Sequence, residues 1–172
     1  MAVTIAIVVI ALIGVVLETG LSDIVTTALK GPPGGHGQQV DGIPCDSSEQ
    51  LTYHVHAHLT ILDNGQLVTI PANTGITGSC FYWLHTHDTT GVIHIEAPVE
   101  RPFTLSQFFD IWGQTLTDAN VAGHHGAVTA YVDQKPYTGD IDSIPLKDHE
   151  SITLEVGTTT PPPANYDFGD LP

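Results

Sequence analysis

Apolar and polar residues alternate along three stretches of the chain, and histidine occupies many of the polar positions. The stretches are YHVHAHLTIL at 53–62, CFYWLHTHD at 80–88 and VIHIE at 92–96. Successive side chains of a β-strand point to opposite faces of the sheet. The pattern therefore predicts strands with one apolar, core-facing side and one side that carries six imidazoles: His54, His56, His58, His85, His87 and His94.

Turn signals connect these strands within the segment 45–157, which we interpret as a β-rich, histidine-containing head. An Asn-Gly pair at 64–65 lies between two alternating runs, which is a strong indication of a tight hairpin. A second hairpin with a two-residue loop at 89–90 would place His85 directly opposite His94 on the same face. The histidines of different strands are therefore expected to converge.

A single short helix is predicted inside the head. Thr104 is a suitable N-cap, apolar and aromatic residues follow at helical spacing, and Gly113 ends the helix. The segments 127–139 and 151–157 return to a strand pattern. The expected fold is α+β: a long N-terminal apolar helix, followed by a mainly antiparallel β-sandwich or grasp-like head with one short helix.

The termini differ in composition from the head. Residues 1–30 begin with an almost wholly apolar run that carries no charge before Glu18. Residues 31–44 form a hinge rich in Gly and Pro, and residues 158–172 form a proline-rich acidic tail. For the apolar segment three interpretations are open: a secretory signal peptide, a membrane anchor and an assembly helix.

The N-terminal sequence MAVTIAIVVIALIGVVLETG, followed by LSDIVTTALK, resembles the N-terminal helix of type IV pilins and their archaeal-type relatives. It departs from the bacterial pattern at its fifth residue, where an isoleucine replaces a glutamate. The resemblance implies a helix that first holds the subunit in the membrane and then packs against copies of itself in a filament. The positions assigned to this assembly are Ile5, Val9, Leu12 and Val16.

The charge balance bears on the partners of the protein, and a second resemblance indicates an exported protein. The chain has 19 acidic residues against 4 lysines and arginines, a formal net charge of −15, which argues against a nucleic-acid partner. The segments HVHAHLTI, CFYWLHTHDTTGVIHIE and FTLSQFFDIWG resemble a group of uncharacterised histidine-rich secreted bacterial proteins. This resemblance implies an extracellular or outward-facing location and gives no activity.

Two cysteines, Cys45 and Cys80, are the only ones in the chain. In an exported protein they are expected to form a disulfide. Two buried thiols and a copper–thiolate site are the alternatives. Strand alternation argues against the copper–thiolate site, because it turns Cys80 away from His85 and His87.

The histidine face predicts a site for one transition metal ion. The favoured ligands are His56, His58, His85 and His87, with His94 as a close alternate and His54 at the strand edge. Zinc is the first choice and copper(II) the second, because imidazole nitrogen suits both. Asp88 and Glu96 are expected to accept hydrogen bonds from the ligand rings. His124, His125 and His149 are expected to be exposed.

The function predicted from these features is a structural subunit of an extracellular, pilus-like filament at the cell surface, with a metal-binding head. The alternative is a zinc or copper metalloenzyme or metal-binding protein that is anchored in the cytoplasmic membrane and faces outward. The chain has no HExxH, GxSxG, Walker or GxGxxG motif, so hydrolase and nucleotide-binding functions have no motif support. A non-catalytic role is therefore favoured.

Overall fold

The computed structural model describes residues 36–171. The predicted N-terminal helix, residues 1–30, lies outside them, together with its assembly positions Ile5, Val9, Leu12 and Val16. Within the described residues, no helix is both long and apolar enough to cross a bilayer.

The described part of the chain contains twelve strands, one α-helix and one short 3-10 helix. The strands are β1 (Cys45–Asp46), β2 (Tyr53–Asp63), β3 (Gln66–Val68), β4 (Phe81–Tyr82), β5 (Leu84–His85), β6 (Val92–Ala97), β7 (Leu116–Thr117), β8 (Asn120–Val121), β9 (His124–His125), β10 (Val128–Val132), β11 (Lys135–Tyr137) and β12 (Glu150–Val156). Helix α1 (Leu105–Trp112) lies between β6 and β7, and the 3-10 helix (Ile141–Ser143) precedes β12.

Seven of the strands form one sheet. Its order is β11-β10-β12-β2-β6-β5, and β3 pairs with the C-terminal end of β2. Two small sheets, β1-β4 and β7-β8-β9, complete the described strands. All pairings are antiparallel except that of the central strands β2 and β12, which run parallel. An α+β head with mainly antiparallel pairing is therefore confirmed, whereas the parallel central pair was not predicted.

The apolar sides of the central strands and of α1 share one core. As alternation predicts, the β2 residues Ala57, Leu59 and Ile61 are fully or almost fully buried, and so are Ile93 and Ile95 on β6. The helix adds the buried residues Leu105, Phe108, Phe109 and Ile111. Because this core occupies one side of β2 and β6, the histidines of both strands lie together on the other side.

The first predicted hairpin is confirmed. Asp63 pairs with Gln66, so the loop between β2 and β3 consists of Asn64 and Gly65 alone. Both loop residues have positive φ, 48° and 79°, as a type I′ turn requires.

The second hairpin has the predicted register but a longer loop. His85 pairs with His94, whereas the six residues 86–91 lie between β5 and β6. The expected two-residue loop is therefore wrong. The physical reason is a competing partner: the Thr86 backbone N–H donates to the Thr74 carbonyl at 2.9 Å, and the Thr86 hydroxyl donates to the Pro71 carbonyl at 2.8 Å.

The helix boundaries follow the sequence signals. At the N-terminus, the Thr104 backbone N–H donates to the side-chain oxygen of Gln107 at 3.1 Å. At the C-terminus, Gly113 adopts the left-handed conformation with φ 74°, which a glycine allows without steric cost. The predicted helix, from its N-cap to its final glycine, is confirmed.

Cys45 and Cys80 form a disulfide with an S–S distance of 2.01 Å. The bond joins the start of β1 to the residue before β4, next to the point where Cys45 pairs with Tyr82. Asp46 reinforces this junction, because its carboxylate accepts a hydrogen bond from the indole N–H of Trp83 at 2.8 Å. The disulfide thus links the loop that follows β1 to the chain that leads into β5.

Candidate metal centre

The polar face of β2, β5 and β6 gathers five of the six predicted imidazoles and one carboxylate. Strand register places His56 opposite His94, and His54 opposite Glu96. On the other side of β6, His85 is opposite His94. His87 follows β5 by two residues and contacts the same cluster through its ring. The cluster is defined here as His54, His56, His85, His87, His94 and Glu96.

One group of donor atoms in this cluster has the spacing of a metal shell. It consists of His85, His87, His94 and Glu96, whose donors all lie within 4.8 Å of one another. The Nε2 atoms of His85 and His87 are 3.3 Å apart, and Glu96 Oε1 lies 3.4 Å from His94 Nδ1 and 3.8 Å from His85 Nε2. A tetrahedral zinc ion with bonds of about 2.0–2.1 Å separates its ligand atoms by about 3.4 Å.

The ring of His85 is oriented for coordination. Its Nδ1–H donates to the Tyr82 carbonyl at 2.8 Å, so a neutral ring has its lone pair on Nε2, the atom that faces His87. Burial of the ring lowers the pKa of His85 to about 4, and the neighbouring His87 and His94 add to this effect. His85 therefore stays neutral at physiological pH, as a metal ligand must.

Close backbone packing fixes the position of His85. Gly75 has φ 79°, and a Cβ atom at this glycine would lie 2.4 Å from the Leu84 carbonyl oxygen and 3.0 Å from His85 Cβ. The Gly75 carbonyl also accepts the backbone N–H of Tyr82 at 2.9 Å. Because Gly75 has no side chain, the 71–76 loop can pack directly against the backbone of β5.

Glu96 lies at the centre of the cluster, with only 2% of its side chain exposed. Its Oε1 atom is 3.2 Å from His54 Nε2 and also faces His94 and His85. Burial raises the pKa of this carboxyl, but a hydrogen bond with His94 and the nearby His85 and His54 lower it further, so the net pKa lies below its ordinary value. A buried carboxylate in this position is a candidate metal ligand. The sequence predicted only that it accepts hydrogen bonds from the ligand rings.

A second group of nitrogens adjoins the first. His54 Nε2 lies 3.1 Å from His56 Nε2, which in turn lies 3.0 Å from His94 Nδ1. The three donors lie within 4.8 Å of one another. His54, expected at the strand edge, is therefore part of the cluster.

Glu49 is a candidate ligand that sequence analysis missed. Its Oε1 atom lies 3.4 Å from His87 Nε2 and 3.9 Å from His85 Nε2. Glu49 belongs to the loop between β1 and β2, which carries no periodic pattern. The disulfide holds the strand that precedes this loop, and no connection between the disulfide and the histidine face was predicted from the sequence.

His58 is the predicted ligand that the structure places apart from the cluster. Its Nε2–H donates to the Thr90 carbonyl at 2.9 Å, and its ring stacks on Tyr166 of the C-terminal tail with centroids 4.2 Å apart. Burial lowers the pKa of His58. The ring contributes to packing of the tail, and its Nε2 is already engaged by a carbonyl.

The remaining predicted groups are not among the grouped donor atoms of the cluster. Asp88, expected to accept from a ligand ring, accepts the backbone N–H of Thr90 at 2.8 Å and shapes the loop. His124 pairs with Asp63 at 2.8 Å, at the opposite end of β2 from His54. His125 is exposed, as expected.

Comparison with known proteins gives no relative. No family model matches the chain, and neither the curated proteins nor the solved structures include a significant match. The functional interpretation therefore depends on the site itself.

Proposed function

We propose that the head binds a zinc or copper ion through His85, His87, His94 and Glu96. The observation that carries this proposal is the spacing of the four donor atoms, since three pairs of them, His85–His87, His94–Glu96 and His85–Glu96, lie 3.3–3.8 Å apart. All four donor atoms are nitrogen or oxygen. Zinc and copper(II) bind such ligands, whereas copper(I) prefers sulfur ligands. Zinc is our first choice.

The buried carboxylate favours metal binding over a purely hydrogen-bonded set of histidines. Nitrogen–nitrogen distances of 3.0–3.3 Å also fit imidazole hydrogen bonds. A buried anion, however, is costly without a positive charge nearby. Within residues 36–171, the ion-pair partners of Glu96 are all histidines. One of them, His85, is held neutral by burial. A bound cation would supply a positive charge beside this carboxylate.

The expected result of a titration is tight binding of one or more metal ions at neutral pH. Chelator-treated full-length protein should bind Zn(II) at about pH 7.5 with a dissociation constant below about 1 μM, measured by calorimetry. Affinity should fall toward about pH 5, because protons compete for the ligand nitrogens. Acid should also lower the free energy of unfolding, because the unfolded chain protonates His85 at its ordinary pKa and the folded head does not. A protein that binds neither Zn(II) nor Cu(II) at neutral pH would refute the proposal.

We further propose that this β-rich head is displayed outside the cytoplasm by residues 1–30, as a subunit of a pilus-like filament. The support is the apolar N-terminal sequence, with the disulfide, which is typical of an oxidising compartment. The partners are copies of the same chain, and the membrane holds the subunit before assembly. An anchored metalloenzyme or metal-binding protein is the second candidate. The His87 side chain is 43% exposed, which favours the metalloenzyme, because a catalytic metal site needs an open position for water.

A charged residue in the N-terminal segment distinguishes these two arrangements. Val9→Lys is expected to abolish filaments in negative-stain micrographs, because an unpaired lysine cannot be buried between packed apolar helices. Lys30→Arg, which keeps the charge at the end of the segment, is the matched control. If the wild-type protein is a detergent-solubilised monomer, or if Val9→Lys forms normal fibres, the filament proposal is wrong.

A further inference from the structure

We propose that the cluster holds two metal ions, with Glu96 as a bridging ligand. The second ion would be bound by His54, His56 and His94, next to the first. This inference rests on the proposed metal-binding function and extends it from a single ion to a dinuclear centre.

The nitrogens of the second group have the spacing that a second ion needs. His56 Nε2 lies 3.1 Å from His54 Nε2 and 3.0 Å from His94 Nδ1. These distances are close to the separation of about 3.4 Å between ligands of a tetrahedral ion with ordinary bonds. Three imidazoles with a carboxylate complete a four-coordinate shell.

Glu49 allows the first ion to keep four ligands when His94 binds the second. Glu49 Oε1 lies 3.4 Å from His87 Nε2 and 3.9 Å from His85 Nε2, so it can take the place of His94. The cluster and Glu49 together provide seven donor side chains, more than one tetrahedral ion uses. With Glu96 shared, His85, His87 and Glu49 complete a four-ligand shell for the first ion. His54, His56 and His94 complete one for the second.

The carboxylate of Glu96 is placed to bridge the two shells. Its Oε1 atom is 3.2 Å from His54 of the second group and 3.8 Å from His85 of the first. Its other oxygen, Oε2, is buried and has no hydrogen-bond partner among the described residues. A buried carboxylate oxygen that lacks a partner is costly, and a second cation would provide one. Carboxylate-bridged ions typically lie about 3.5–4 Å apart.

The negative charges at and around the site favour the binding of two divalent ions. Glu49 and Glu96 provide two negative charges at the centre, and the chain carries a formal net charge of −15. The resulting negative potential attracts cations and offsets part of the repulsion between the two ions.

The decisive experiment counts metal ions per chain in single-ligand variants of the full-length protein. Zn(II)-saturated wild type, freed of excess metal by gel filtration, should contain two zinc ions per chain by elemental analysis. His54→Ala, a change at a partly exposed ring, should contain one, and the matched control His125→Ala should contain two. One zinc in both wild type and His54→Ala would overturn the second ion and leave the proposed function standing. No zinc in wild type would refute both.

Electron paramagnetic resonance of the Cu(II)-loaded wild type tests the bridge without any substitution. The first equivalent of Cu(II) should give the signal of an isolated ion. The second equivalent should reduce the integrated signal per copper, because two Cu(II) ions that share a carboxylate couple magnetically. A signal that grows in proportion to copper up to two equivalents, with no coupling, would overturn the bridging role of Glu96.

Discussion

Replacement of His85 and His87 by alanine together is expected to lower the affinity of the first group, His85, His87, His94 and Glu96, for Zn(II) by more than about 100-fold. Loss of a residue that only supports a metal ligand typically costs about 10–100-fold in affinity, and this variant loses two ligands directly. The first group would retain His94 and Glu96, too few donors for a stable shell. Calorimetric titration of the full-length variant gives the change.

The matched control is His124→Ala with His125→Ala, which removes two imidazoles from β9, outside the cluster. Its affinity should stay within about threefold of that of the wild type. Because His85 is buried, the unfolding curve of the metal-free double variant must show that it is folded; His87→Ala alone, at a half-exposed ring, provides a milder test. Equal affinities for the cluster variant and the control would show that the first group is not the metal site.

Removal of the disulfide should have the largest effect on stability. Cys45 and Cys80 are separated by 35 positions, and a cross-link of this length stabilises the fold by roughly 4 kcal/mol in the chain-entropy model. We expect Cys45→Ser with Cys80→Ser to lower the free energy of unfolding by about 3–4 kcal/mol, measured by urea denaturation of metal-free protein. Since a small domain has only about 5–15 kcal/mol in total, the variant would be marginally stable.

The control for this prediction is Thr77→Ala, a change next to Cys80 that keeps both cysteines. Among residues 36–171, the hydrogen bonds of the Thr77 hydroxyl are local ones with Ser79 and Cys80, so its loss should cost about 1 kcal/mol. If the free energy of unfolding falls less in the disulfide variant than in the threonine variant, the disulfide contributes little to the stability of the head.

Local rules were sufficient for much of the fold. The Asn-Gly turn at 64–65 and the helix between Thr104 and Gly113 are determined by residues close in sequence, and both were predicted. The parallel pairing of β2 with β12 was not, because it joins segments such as Ala57 and Glu150 that are far apart along the chain. Hydrophobic alternation identifies a strand but does not identify its partner.

The site was predictable where strand alternation determines it. His56, His85 and His94 converge because each lies on the polar side of its strand, and Glu96 follows His94 by two residues on that side. His87 follows β5 by two residues and joins the cluster from the loop. The same rule could have identified Glu96 as a ligand candidate.

Alternation alone does not predict the exceptions, because they depend on contacts from distant segments. His58 lies on the correct face, but Thr90 and Tyr166 engage its ring. Glu49 reaches the site from a loop that has no periodicity.

X-ray absorption at the zinc edge of the Zn(II)-loaded, full-length protein identifies the ligand atoms of the bound metal directly. We expect only nitrogen and oxygen ligands, at about 2.0–2.1 Å, with outer-shell scattering from several imidazole rings. A lower zinc content in the His85→Ala, His87→Ala double variant than in the wild type, measured on the same samples, would assign part of the bound zinc to these two histidines. A spectrum of hydrated zinc without imidazole scattering, or one with sulfur at about 2.3 Å, would contradict a metal centre built from the histidine face and Glu96.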